Sequence, residues 1–82
     1  MGEFHYVYIL ENQGEPVHFY VGLAQDLRDR LARHNRGDVP HTSKFRPWRI
    51  KTAIAFRDHA RAAEFERYLK TASGRAFAKK RL

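Results

Sequence analysis

Tyr20-Val21-Gly22-Leu23-Ala24-Gln25-Asp26-Leu27-Arg28-Asp29-Arg30-Leu31-Ala32-Arg33-His34 decides how the rest of this chain is placed. It reads as the end of a short buried strand, a glycine that lets the backbone turn, and a helix with basic residues turned outward. Leu27 and Leu31 are four apart and mark the face turned toward a core. Arg30 and His34 share the same spacing, so they stack on a neighbouring face with Cβ atoms roughly 5–6 Å apart. A strand edge offering a tyrosine, beside a helix offering a cation and an imidazole, makes a plausible pocket for a phosphodiester.

Upstream, residues 4–10 are aromatic and β-branched on both faces, which predicts a strand with covered neighbours on either side, central in its sheet. Residues 11–16 carry turn chemistry, and residues 17–22 form a second strand, so the short connection predicts an antiparallel hairpin. Asp26 is the natural cap of the first helix, with Asp29 at its third position, and Gly37 stops it after about residue 35. Residues 38–47 are too rich in Pro and polar groups for regular structure. A third strand follows over 48–56, then a helix capped by Asp58 and running to about residue 72, with Ala62, Phe65 and Leu69 on its buried stripe. Ser73 can cap a last short helix. The order strand–strand–helix–strand–helix–helix describes one α/β (α+β) domain over residues 1–82, a three-stranded antiparallel-type sheet flanked by helices. Such an architecture does not by itself say what the protein does.

At 82 residues the chain is near the small end of what folds alone, burying only about 60% of its unfolded surface. It has no cysteine, which removes disulfides and thiolate zinc sites from consideration. No apolar run approaches the roughly 20 residues that span a bilayer, and no signal sequence opens the chain, so the default expectation is a cytoplasmic protein that avoids membranes. Sixteen Lys and Arg against nine Asp and Glu give a formal charge of +7. A domain this basic is biased toward polyanions, and its cations are mixed with His, Tyr, Trp and Thr rather than gathered in a tail.

Phosphodiester cleavage needs an activated nucleophile, cations for crowded phosphate charge and usually a metal at the leaving oxygen. Tyr6, Tyr8 and Tyr20 lie on the paired strands, and Tyr6 and Tyr8 share a side. A phenol beside a cation or metal serves as base or positioner, although strand tyrosines are commonly just core or sheet-surface aromatics. His34 has a plainer reading as a residue near a helix C-terminus. Glu66 follows Phe65 of the buried stripe and precedes Lys70 by four, so it either borders the cleft or forms an ordinary ion pair with Lys70. The chain has no cluster of carboxylates for two metals. One carboxylate with waters and phosphate oxygens still suffices for a single Mg²⁺. Arg28, His41, Thr42, Ser43, Lys44, Arg46, Lys70, Arg75 and Lys79 are candidates for backbone-phosphate contacts, which position nucleic acid without reading its sequence.

Taken in order, these residues resemble the GIY-YIG nuclease superfamily, in particular its small single-domain members. The first half-motif appears as Tyr6-Val7-Tyr8, with its usual glycine replaced, and the second as Tyr20-Val21-Gly22. A helix with an arginine and then a histidine four residues on matches Arg30 and His34. His41-Thr42 precedes the aromatic strand beginning at Trp48, and Glu66 precedes Leu69-Lys70. The resemblance implies a GIY-YIG-like sheet-and-helix fold and a metal-dependent endonuclease acting on DNA, with RNA as the other target. It implies that Tyr8 and Tyr20 meet the reacting phosphate, one as base or water positioner, with Tyr6 as a possible addition. Arg30 would stabilise phosphate charge, His34 assist proton transfer or orientation, and Glu66 hold one ion, Mg²⁺ or Mn²⁺. Ala24 stands where many members carry Thr or Ser, and no Asn follows Asn35 where some members use one downstream of the Glu. The alternative expectation is a non-catalytic nucleic-acid-binding module that keeps this fold.

Overall fold

Four consecutive residues, Val7-Tyr8-Ile9-Leu10, are all buried, which requires both faces of their strand to be covered. In the computed structural model, which describes residues 3–82, strand β1 (His5–Asn12) lies between β2 (Phe19–Ala24) and β3 (Trp48–Phe56), antiparallel to both. The alternation of the strand then sorts its side chains between two layers. Val7 and Ile9 pack with Ala62 and Leu69, supported by Val21, Phe56 and Phe65. Tyr8 and Leu10 pack on the other side with Ala24 and Trp48, supported by Tyr20, Leu27, Leu31 and Phe45. Helix α1 (Leu27–Arg36) therefore covers one face, while α2 (His59–Leu69) and α3 (Ala72–Arg81) cover the other. The expected order of elements and the central position of the first strand are both observed.

Local chemistry explains most element ends. The Asp26 carboxylate accepts the Asp29 N–H at 2.9 Å, and Gly37 closes α1 at φ 86°, a left-handed conformation that costs glycine little. The Asp58 carboxylate accepts the Ala60 N–H at 2.9 Å. Several boundaries differ from the sequence reading. β2 begins at Phe19 and continues to Ala24, because Gly22 does not turn: it pairs with Tyr8, and Leu23 and Ala24 pair with Val7 and Tyr6. Gly37 holds the only positive φ among the described residues. β1 reaches Asn12 because β3 supplies partners as far as Asn12 opposite Trp48. A 3₁₀ turn (Ser43–Phe45) interrupts the segment expected to be irregular.

The last two helices also separate earlier than expected. α2 ends at Leu69, and Thr71, not Ser73, caps α3 by accepting the Gly74 N–H at 3.1 Å. The physical reason lies at Gly74. A Cβ there would overlap the Tyr68 carbonyl, so only glycine lets the first turn of α3 press against the end of α2. No helix among the described residues is long and apolar enough to cross a membrane.

Candidate active site

Gly22 sits opposite Tyr8 in the β1–β2 ladder, and a Cβ on it would overlap the Tyr8 hydroxyl, Cζ and Cε2. Its role is space, not turning. With no side chain there, the Tyr8 ring lies across β2 and brings its phenol to the face covered by α1.

There the phenol meets the helix. Tyr8 Oη and His34 Nε2 are 3.0 Å apart, and His34 Nδ1 is 2.8 Å from Thr42 Oγ1. The Thr42 hydroxyl in turn donates to the Val39 carbonyl at 3.2 Å. A carbonyl only accepts, so the hydroxyl proton points to Val39 and the hydroxyl oxygen receives Nδ1–H. Nε2 then carries the lone pair, and Tyr8 donates its O–H to it. His34 and Thr42 are each 1% exposed, and this directed chain satisfies both, as burial demands. Trp48 fixes the far end: its indole N–H donates to the Thr42 carbonyl at 2.9 Å. Asn35 ties α1 to β3 beside it. Its amide donates to the Trp48 carbonyl at 3.0 Å, and its side-chain oxygen accepts the Trp48 N–H at 2.7 Å.

Two other candidates, Tyr20 and Arg30, stand beside this chain. The Tyr20 ring is 5.0 Å from that of His34 and 6.5 Å from that of Tyr8. Arg30, one helical turn before His34, donates to the Leu23 carbonyl at 3.3 Å and lies beside the Tyr8 phenol. Glu66 belongs to α2, on the opposite face of the sheet; its side chain is 20% exposed and paired with Lys70 at 3.0 Å, and its charge reaches the Tyr8 phenol as the weakest of the influences on it. Burial is the main cause that pushes the Tyr8 phenol above the ordinary tyrosine value. The Arg30 cation opposes that shift, and Tyr20 and the Glu66 carboxylate add to it. Burial first, and the Arg30 charge second, hold His34 below the ordinary histidine value. The phenol is therefore protonated and the imidazole neutral across the neutral range, matching the directed hydrogen bonds.

Tyr6 lies two residues along the same face but is half-buried with its ring against Phe4, outside the Tyr8–His34–Thr42 chain. Thr42 differs from the expectation that it contacts phosphate. It is buried and its hydroxyl is engaged by His34 and Val39, so it orients the imidazole. The remaining basic candidates are exposed but fall into separate groups. Lys70, Arg75 and Lys79 line one groove. Lys44 and Arg46 line a smaller cleft beside the β1–β2 connection. Arg28 on α1 and His41 before the 3₁₀ turn stand apart. Sequence reasoning missed Asn35 as a brace and the partner of Thr42. A histidine destined for burial needs an acceptor for its second ring nitrogen, and a nearby Thr was the available signal.

Among the described residues no three carboxylate or imidazole side chains cluster as a metal cage. Glu66 offers a hard, partly buried oxygen donor whose charge is felt at the phenol. That fits one Mg²⁺ or Mn²⁺ completed by water and phosphate oxygens, with Lys70 displaced from the carboxylate.

A family model described as the GIY-YIG catalytic domain matches residues 4–81. Comparison with curated proteins and with solved structures returns no match.

Proposed function

The chain belongs to the GIY-YIG family, whose domain carries nuclease-type phosphodiester hydrolysis, and on that premise we propose that it is a metal-dependent endonuclease acting on DNA. The observation that carries this reading is the directed chain from the Tyr8 phenol through His34 to Thr42, with Arg30 beside it and the Glu66 carboxylate within electrostatic reach.

Each residue takes a distinct part in the chemistry. The scissile phosphate lies against Arg30, whose fixed cation meets the charge that develops on the non-bridging oxygens. Water attacks phosphorus, forming a new P–O bond as the bond to the leaving sugar oxygen breaks. The water proton passes to Tyr8 Oη as the phenol proton passes to His34 Nε2. A phenol held protonated cannot act as a free phenolate base, so this handover lets it serve without ever losing its proton to solvent. Thr42 keeps the imidazole in the tautomer that accepts, and the Nδ1–H bond supports the imidazolium that forms. Tyr20 shapes the wall beside them. Glu66 is the residue that would hold a divalent ion, and such an ion, when bound, would supply Lewis-acid stabilisation of the leaving oxygen.

The test is nicking of supercoiled and branched DNA with and without Mg²⁺. Arg30→Ala and Glu66→Ala should each lower the rate on the order of 10²–10³ if they meet developing charge, while DNA binding persists. Equal rates in both variants and the parent protein would refute the reading. Binding without cleavage in any divalent cation would favour a module that holds nucleic acid without cutting it.

A further inference from the structure

The face of the sheet turned away from α1 carries a groove of about 740 Å³ between β2, β3 and the α2–α3 pair. Its floor is apolar, formed by Ile9, Val21, Leu69 and Ala78. At one mouth stand two large side chains that the fold leaves open, Val17 and Phe19, the latter 55% exposed. Around it are four cations, Lys51 from β3, Lys70 at the end of α2, and Arg75 and Lys79 from α3, and no carboxylate among the described residues lines it. An occupant must therefore offer a flat apolar surface and a row of negative charges together. Folded cores do not need this combination, and an apolar patch rimmed by charge marks a binding surface.

We propose that this groove is a binding site for unpaired nucleotides, with a base against Phe19 and the flanking phosphates on Lys51, Arg75 and Lys79. Duplex DNA keeps its base faces stacked inside and offers only phosphates and groove edges, so it cannot use the apolar floor. A single strand offers a π-face at every nucleotide, and stacking on an aromatic with cations along the backbone is how strands are held without sequence readout. The groove and the candidate active site, on opposite faces of the sheet, share the β2 edge. Tyr20 borders both, and Lys70, on the groove wall, is ion-paired with Glu66. A strand whose phosphate lies at Arg30 thus runs around that edge into the groove, which makes the cut site one with an unpaired segment beside it. This placement rests on the nuclease reading; the binding itself does not.

The test is fluorescence anisotropy in EDTA, where no cleavage occurs, with a labelled oligothymidine and a labelled blunt-ended duplex of two annealed strands. Phe19→Ala should weaken the single strand by about 5- to 100-fold, the effect of one stacked base, and leave the duplex within twofold. Phe19→Trp should restore it. Lys51→Glu with Lys79→Glu should reduce the salt slope for the single strand by about 0.7 for each phosphate no longer neutralised. All these positions are exposed, so thermal unfolding of each variant is expected to match the parent. Unchanged single-strand affinity in these variants overturns the inference, as does equal weakening of the duplex. So does competition by polyglutamate as effective as that by the oligonucleotide, since charge alone would then account for binding. Nicking by a protein whose single-strand binding does not depend on Phe19 refutes the groove and leaves the nuclease reading intact; Phe19-dependent single-strand binding by a protein that does not nick does the reverse.

Discussion

A Cβ on Gly22 would overlap three atoms of Tyr8, and Tyr8 is itself packed on Leu10, Ala24 and Trp48, so neither residue has room to give way. Gly22→Ala should therefore destabilise the protein by about 1–3 kcal/mol, the usual cost of overpacking, and displace the phenol from His34. The cost should be specific to the pair. In a Tyr8→Ala background the added methyl enters the space left by the ring, so the two changes should be far from additive in urea unfolding. Additive costs would mean that Gly22 serves something other than the Tyr8 ring. The sequence displays this glycine openly but not its reason, since a glycine before a helix has the same appearance whether it turns the chain or clears a path for a neighbour. Thr42 poses the parallel case. Thr42→Val keeps the shape but leaves His34 Nδ1–H buried without an acceptor, which should cost about 1–3 kcal/mol. It should also lower the nicking rate, because nothing then fixes the tautomer that faces Tyr8. Thr42→Ser should recover both. A Val variant that cuts as fast as the parent would show that the imidazole needs no such anchor.

The joint between α2 and α3 is the tightest contact between elements. Gly74 abuts the Tyr68 carbonyl, which is backbone and cannot swing aside, while Thr71 caps α3 and also donates its hydroxyl to that same carbonyl at 2.6 Å. Gly74→Ala should consequently lie at or above the top of the ~1–3 kcal/mol overpacking range, whereas Thr71→Ala should lose only about 1 kcal/mol for the cap. Chemical denaturation of both variants checks the ranking, and a reversed order would remove the close approach as its cause. These joints explain which parts of the fold were legible. Apolar periodicity gave the strands over residues 48–56 and around Val7–Leu10, and Asp26 and Asp58 marked helix starts, because those signals are local. The ends of β1 and β2 were not legible, since they depend on which residues face each other across the sheet. Nor was the break at Leu69, where Ala72 continues a helical pattern and the reversal depends on a close approach of α3 to α2 that the absent Cβ of Gly74 permits. The candidate site follows the same division: Arg30 and His34 share a face by spacing alone, but the Thr42 and Asn35 contacts arise from folding residues 38–47 back over α1.

For the molecule as a whole, the buried imidazole couples folding and chemistry to pH. His34 lies in the core between α1 and the sheet, with its folded value held below the ordinary 6.5 by burial and then by Arg30. Between the folded value and 6.5 the unfolded chain binds a proton that the folded chain refuses, so the stability contributed by neutral His34 is complete above 6.5 and falls as the pH drops through that window. At the alkaline end the sign reverses. Tyr8, whose folded value is raised above 10.0 mainly by burial, contributes stability that is complete below 10.0 and declines as the pH rises beyond it. Urea midpoints measured from about pH 7.5 downward should fall below pH 6.5 in the parent protein, and the share due to His34 should vanish in His34→Gln. Catalysis should trace the same groups, because only neutral His34 can take the proton that Tyr8 hands on. The rate constant kcat/KM should hold a plateau through neutrality, with its acid limb below the ordinary histidine value and its alkaline limb above the ordinary tyrosine value. An acid limb at or above 6.5 would show that the proton goes to another group, and the relay from Tyr8 to His34 would have to be abandoned even if Arg30 and Glu66 proved essential.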